Sequence, residues 1–199
     1  MRMLLGVTTL IGLSVMGTAH AEDSSDLAES SLIVGVSPFG GSLGYSYAVS
    51  SRTTIQGTFG GLPESSFMSV SVDGTDYDLT AKASWAGGFI NHRPAENADW
   101  FRLNMGVAFG SIENTLVDSS GDRYEVNFKE TPVAYMGVGL GLRPTKGLQY
   151  GLDMGALFGA GAIVSADPEN AGDALEAIAS SPIAGNVLPN AQLTIGWGF

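Results

Sequence analysis

The chain reads as all-β: a closed antiparallel transmembrane β-barrel of eight strands, with short turns at one end and long loops at the other. Three observations predict this. In residues 191–199, Ala191, Leu193, Ile195, Trp197 and Phe199 share one strand face, and Gln192, Thr194, Gly196 and Gly198 the other. The composition holds 28 glycines but only 15% charged residues, where soluble domains average about 25%. Short turns also alternate along the chain with long polar segments, the asymmetry of outer-membrane barrels. No apolar run beyond residue 21 approaches the ~20 residues of a membrane helix, and a closed barrel is the other way to satisfy backbone groups in lipid.

The first 21 residues read as a secretory signal peptide. Arg2 is the positive start, Met3 to Met16 the apolar run, and Ala19-His20-Ala21 a small-x-small cleavage site. Cleavage after Ala21 removes one basic residue and leaves eight against twenty acidic ones, a net charge of −12. So acidic a chain excludes nucleic-acid binding through phosphates. It has no cysteine, so neither a lipid anchor on cysteine nor a disulfide framework is available. Residues 22–30, acidic and Ser-rich, read as a flexible lead-in to a barrel over 31–199.

Leu32, Val34 and Val36 alternate as a first strand, and Leu43, Tyr45, Tyr47 and Val49 alternate on the opposite parity. Pro38-Phe39-Gly40-Gly41 between them is a hairpin or a bulge; the hairpin makes the strand count even. After a turn at Ser50-Ser51-Arg52, Thr53, Ile55, Gly57 and Phe59 begin the next outer face. Residues 60–74 read as a long polar loop with its own small hairpin at Met68-Val70-Val72. Tyr77, Leu79, Ala81, Ala83, Trp85 and Phe89 are expected outward, with Asp78, Thr80, Lys82 and Ser84 inward.

A turn from His92 to Asp99 leads to a strand with Leu103, Met105, Val107 and Phe109 outward and Arg102, Asn104, Gly106 and Ala108 inward. Residues 113–131 read as a second long loop. Met136, Val138, Leu140 and Leu142 then face out, against Tyr135, Gly137, Gly139 and Gly141. That glycine row is too small to fill the core of a soluble lipocalin-like barrel, the structural alternative. Arg143 to Gly147 is a turn, followed by Leu148, Tyr150, Leu152, Met154, Ala156 and Phe158 facing out. Residues 160–186 form a third long segment, with a short helix over 171–180 capped by Asn170 or Asp173.

Charge suggests where function lies. Asp78, Lys82, Arg102 and Asp153, with Tyr135, are the inward candidates for a polar constriction, where rings of charge set selectivity or ion pairs plug the bore. Glu64, Asp73, Asp76, Glu113, Asp118, Asp122, Glu125, Asp167 and Glu169 crowd the long segments and make a negative outer mouth. That mouth would concentrate cations and repel anions; alternatively the acidic segments only keep the outside solvated, or hold divalent ions that bridge lipopolysaccharide. Trp197 and Phe199 are expected to close the barrel, anchor at the membrane boundary and present the aromatic terminus read by barrel-assembly machinery.

Chemistry finds little support. The lone histidine after residue 21, His92, sits beside a short turn, so no catalytic triad, metal site or cofactor is expected. The acidic runs at 73–78 and 118–122 lack the spacing of calcium loops.

Several segments resemble one family in order and spacing: Val70–Leu79, Thr131–Leu140, Leu152–Gly159 and the aromatic C-terminus. Over Leu32 to Phe199 the chain is similar to the CarO-like outer-membrane proteins, a group of small Gram-negative porins. The resemblance implies an eight-stranded barrel that takes up ornithine and other basic amino acids and lets carbapenems pass. The alternative is a non-conducting structural or surface-interaction barrel with a salt-bridged lumen.

Overall fold

A computed structural model describes residues 26–128, 132–167 and 172–199. In chain order the elements are β1 (Ser30–Ser37), β2 (Gly40–Ser50), β3 (Thr53–Val72), β4 (Thr75–His92), β5 (Phe101–Asp118), β6 (Arg123–Phe128), β7 (Val133–Gly141), β8 (Gly147–Phe158), β9 (Ile163–Asp167), α1 (Gly172–Ala179) and β10 (Val187–Gly198). Eight of the strands pair in a ring, β1-β2-β3-β4-β5-β7-β8-β10 and back to β1, every pair antiparallel.

The closing seam joins the two ends of the chain. Leu32 lies opposite Trp197, Val34 opposite Ile195 and Val36 opposite Leu193. The Phe199 N–H donates to the Ser30 carbonyl at 2.9 Å, and the Ser30 N–H donates back at 3.2 Å. Between β1 and β2 only Pro38 and Phe39 intervene, so the parity switch is a two-residue hairpin. Gly40 closes it with φ +97, and a Cβ there would run into the Gly61 carbonyl.

Leucines, valines, methionines and aromatics stand outward and exposed around the ring, among them Leu43, Tyr45, Ile55, Phe59, Val107, Phe109, Met136, Tyr150 and Leu193. Such a belt is the surface of a barrel that crosses lipid, not water. Trp197 and Phe199 belong to it.

The long segments differ from expectation. Residues 60–74 are not a loop. β3 runs on for 20 residues and folds back on β4 through Asp73 and Gly74, both at positive φ, as a two-residue hairpin requires. Register shifts between Leu62 and Ser65 and between Ser66 and Met68 absorb Pro63, which cannot donate to a ladder. Likewise β5 continues to Asp118, returns as β6, and β6 accepts β9 as a further strand. These extensions make a lobe that stands beyond the ring.

The lobe has its own apolar core of Val72, Tyr77, Leu116, Tyr124, Val126, Ile178 and Ala184. α1 supplies Ile178, and Asp173 lies in its first turn; Asn170, the other cap candidate, falls outside the described residues. Tyr77 and Tyr124 meet edge to face, their rings 5.6 Å apart.

On β4 the expected facing is reversed. Tyr77, Ala81 and Ala83 are buried, and Trp85 and Phe89 point into the bore, while Asp78, Lys82 and Ser84 face away from it. The β4–β5 register explains why. Gly106 lies opposite Phe89 and Gly110 opposite Trp85, so each large inward ring sits over a residue with no side chain. Leu142 also leaves the lipid face. β7 ends at Gly141, φ +73, and Leu142, φ +47, turns its side chain into the lumen.

At the short-turn end, the residues before β1 are tied down. Lys146 N–H donates to the Asp26 carbonyl at 2.9 Å, and Ala28 N–H donates to Pro144 at 2.8 Å.

Candidate functional site: the lumen

The bore is a stack of layers, and the strand period decides what enters each. β5 turns Arg102 and Asn104 inward, β7 Tyr135, β8 Gln149 and Asp153, and β10 Gln192 and Thr194. At mid-height the Arg102 guanidinium donates to both oxygens of Asp153 at 2.7 Å and, through Nη1, to the Gly141 carbonyl at 2.6 Å. Arg102 is 2% exposed, so the pair is withdrawn from solvent. The Asn104 amide nitrogen donates to the same carboxylate. Gly139 makes room: a Cβ there would stand 2.6 Å from the Arg102 Nε.

Below this layer the short-turn end is filled. Arg93 donates to the carbonyls of Asp99, at 3.0 Å, and Leu142. Gln149 donates to Ser31 at 3.0 Å and to the Thr145 carbonyl at 2.6 Å. Arg93, Arg102, Leu142, Pro144 and Gln149 enclose a void of only about 10 Å³. On the rim, Arg52 spans neighbouring turns by donating to the carbonyls of Arg93 and Pro94, at 3.0 and 2.6 Å, and Arg143 pairs with Asp99. The arginines of the short turns are therefore structural clamps.

Above the layer the bore opens into a vestibule of about 120 Å³ beneath the lobe. Trp85, Phe89 and Tyr135 stand in its wall, with Phe39, Leu157 and Leu188. Phe89 and Tyr135 meet edge to face with centroids 5.7 Å apart. They flank Gly106, the β5 partner of both. The Trp85 indole donates to the Phe39 carbonyl at 3.3 Å. The polar part of the wall includes Gln56, Asn91, Asn104, Asn190, Gln192 and Thr194, and Asp153 is the single charged residue among the described ones lining it.

The structure therefore brings Arg102, Asp153 and Tyr135 together and leaves Asp78 and Lys82 out. Lys82 reaches Glu113 at 3.6 Å on the solvent side of the lobe, and Asp78 accepts from Ser69 at 3.0 Å. Reading the apolar residues of β4 as lipid-facing along its whole length puts these two inside, whereas Tyr77 and Leu79 belong to or pack on the lobe core and Ala81 and Ala83 are buried.

The acidic residues do not ring the vestibule. Asp73 and Asp76 sit at or beside the β3–β4 hairpin tip, Asp118 and Asp122 at the β5–β6 tip, and Glu64, Glu113 and Glu125 along the lobe's outer faces. Asp118 spends its carboxylate on the backbone N–H groups of Ser120 and Asp122, at 2.8 and 3.0 Å. Asp167 lies opposite Arg123 in register, and Glu169 is outside the described residues. His92 bonds Thr53 at 2.9 Å at the short-turn rim.

Lumen residues absent from the sequence-derived site candidates include Asn104, expected inward but given no role, Gln149, and Trp85 and Leu142, both expected outward. Glycine at three of the four register neighbours of Trp85 and Phe89 is the available signal: Gly60 and Gly110 flank the first, and Gly106 stands beside the second, opposite Gln56.

Comparison with solved structures fits this architecture. The crystal structure of Acinetobacter baumannii CarO superposes with a TM-score of 0.62 at 16% identity, covering 87% of this chain and 98% of that one. That of CarO2 from the same organism gives a TM-score of 0.67, again at 16% identity, over 87% and 99%. The fold is CarO-like. No family model and no curated protein matches the chain.

Proposed function

We propose that the protein is an outer-membrane barrel for passive uptake of small solutes, with the Arg102–Asp153–Asn104 layer as its constriction. The observation behind this is the stacking of two lumenal cavities on either side of that one layer, with Gln56, Asn91 and Leu142 lining both. A solute that crosses must part this ion pair, displace Leu142 and pass the Arg93 and Gln149 side chains that fill the short-turn end. In this reading residues 1–21 export the chain, the apolar belt sits in lipid beside lipopolysaccharide, and assembly machinery reads the C-terminal strand. Carboxylates on the lobe raise the local concentration of cations, which supports basic amino acids as solutes.

Planar-bilayer recordings of refolded protein test the proposal. Small cation-preferring steps are expected, growing when Arg102 and Asp153 are both replaced by serine. A second reading, a non-conducting barrel, is favoured by the 2.7 Å contact of a buried ion pair. Silence of both the native chain and the double variant would establish it and end the uptake proposal.

A further inference from the structure

The vestibule wall offers no free carboxylate at which a passing cation would dwell. Its one described carboxylate, Asp153, is held by Arg102 through both oxygens at 2.7 Å and by Asn104. An incoming ammonium group would compete with a buried guanidinium that is already in place. What the wall offers is aromatic surface and an unused acceptor. Trp85, Phe89 and Tyr135 line one space, and it measures about 120 Å³. The vestibule is of the same order as the apolar cavity of about 150 Å³ that accepts benzene, so one six-membered ring is the largest group it would take.

At the polar side, Asn104 lines the vestibule and has a buried side-chain carbonyl oxygen with no donor, whereas the Asn190 side chain bonds the Tyr135 phenol. Asn104 is 5% exposed, and its amide nitrogen is committed to Asp153, so the free atom is an acceptor. Buried acceptors of this kind are ordinarily satisfied.

From this geometry we infer that the vestibule is a binding site for a small neutral molecule with an aromatic ring and a hydroxyl or amide donor. The ring lies against Trp85, Phe89 and Tyr135, and the donor meets the Asn104 side-chain carbonyl. The inference rests on the vestibule of the proposed uptake path, but needs only that the outer half of the lumen be open.

The test uses the full barrel in lipid nanodiscs with 5-fluorotryptophan and phenol as probe. Trp85 faces the vestibule, whereas Trp100 and Trp197 are 56% and 58% exposed on the outside and report mere partitioning into lipid. Phenol is expected to shift the Trp85 fluorine resonance saturably, with Trp100 and Trp197 drifting linearly. Toluene, which has the ring but no donor, should bind about threefold to tenfold more weakly, the worth of one hydrogen bond.

Ala108→Phe, which fills the vestibule, should abolish saturation, and Leu157→Phe should weaken it; the heat-modifiable gel band shows that each variant is folded. Trp85 moving in step with the other two tryptophans, or undiminished saturation in Ala108→Phe, overturns the inference. So does ornithine shifting Trp85 at lower concentration than phenol. Because binding is read without flux, saturation in a silent channel sinks the uptake proposal and leaves the site standing.

Discussion

The barrel and the lobe have opposite interiors, and three strands run through both. In the barrel, β5 turns Arg102 and Asn104 inward and Val107 and Phe109 to the outside. Further along, the same inward face carries Leu116, fully buried, and the outward face carries Glu113. β4 inverts in parallel, from Ile90 outward in the barrel to Lys82 outward in the lobe. A strand cannot roll over without breaking its alternation, so it is the surrounding medium that changes. Ala86 pairs with Phe109 and Lys82 with Glu113, so the inversion falls at one level across the sheet. A bilayer takes about 9–11 residues of tilted strand. β4 and β5 have 18 each, and their surplus must obey the rules of a water-soluble sheet.

The comparison breaks most severely if the barrel's polar interior is not held by its ion pair. Arg102→Ala leaves Asp153 buried without its partner and should cost about 3–5 kcal/mol. The Arg102→Leu/Asp153→Leu double variant should cost less, because both charges go together. Urea titration of the folded gel band measures both, and a double variant as damaged as the single would contradict this account.

Next comes the apolar interior. Leu116→Ala should cost about 2–5 kcal/mol, confined to the lobe. Limited proteolysis is expected to cut near residues 119–122 while the heat-modifiable band persists. Equal loss of both would mean that lobe and barrel unfold as one unit.

The surfaces give a mirrored pair. Val107→Lys, on the lipid belt, should cost about 2–4 kcal/mol and lower the fraction that folds into liposomes. Lys82→Val, outward on the same sheet but above the inversion, should insert normally and lose under about 1 kcal/mol with the exposed Glu113 pair. Similar insertion defects in the two would abolish the boundary drawn between Phe109 and Glu113.

The smallest effect is in pH. Tyr77 and Tyr124 lie in the lobe, beyond the belt, and burial pushes both phenols above the usual tyrosine value, with Asp118 adding to each and Tyr77 to Tyr124. The neutral phenol is therefore the form the folded lobe favours. Its contribution is complete below the ordinary value of about 10 and is lost as pH rises through the elevated ones. Absorbance at alkaline pH should show two late-titrating tyrosines, absent in a Tyr77→Phe/Tyr124→Phe variant, and lobe proteolysis should accelerate as they ionise.

Much of the ring was legible from alternation alone. Leu103 to Phe109 and Leu193 to Phe199 carry one apolar face without interruption, and that face is outward in the structure. Arg102 is recognisable as inward because it shares β5 with the first of these runs, and Asp153 because Leu148 to Phe158 alternates in the same way along β8. The lobe was not legible, since its strands carry Ser, Asp and Glu on the solvent face and resemble loops when lipid is the assumed surroundings. That assumption, extended along β4, also sent Trp85 and Phe89 to the wrong side.

Residue chemistry by itself determined that this chain forms staves with a greasy and a polar face, and that its two ends must pair to close the ring. Local alternation suffices for that, because the period of two is a property of the backbone. Only the tertiary structure decided which medium each stretch of strand meets. It also decided that Leu142 plugs the bore through a positive-φ turn, and that of four charged candidates only Arg102 and Asp153 come within reach. Such contacts depend on register between strands distant in sequence, a relation that no single strand encodes.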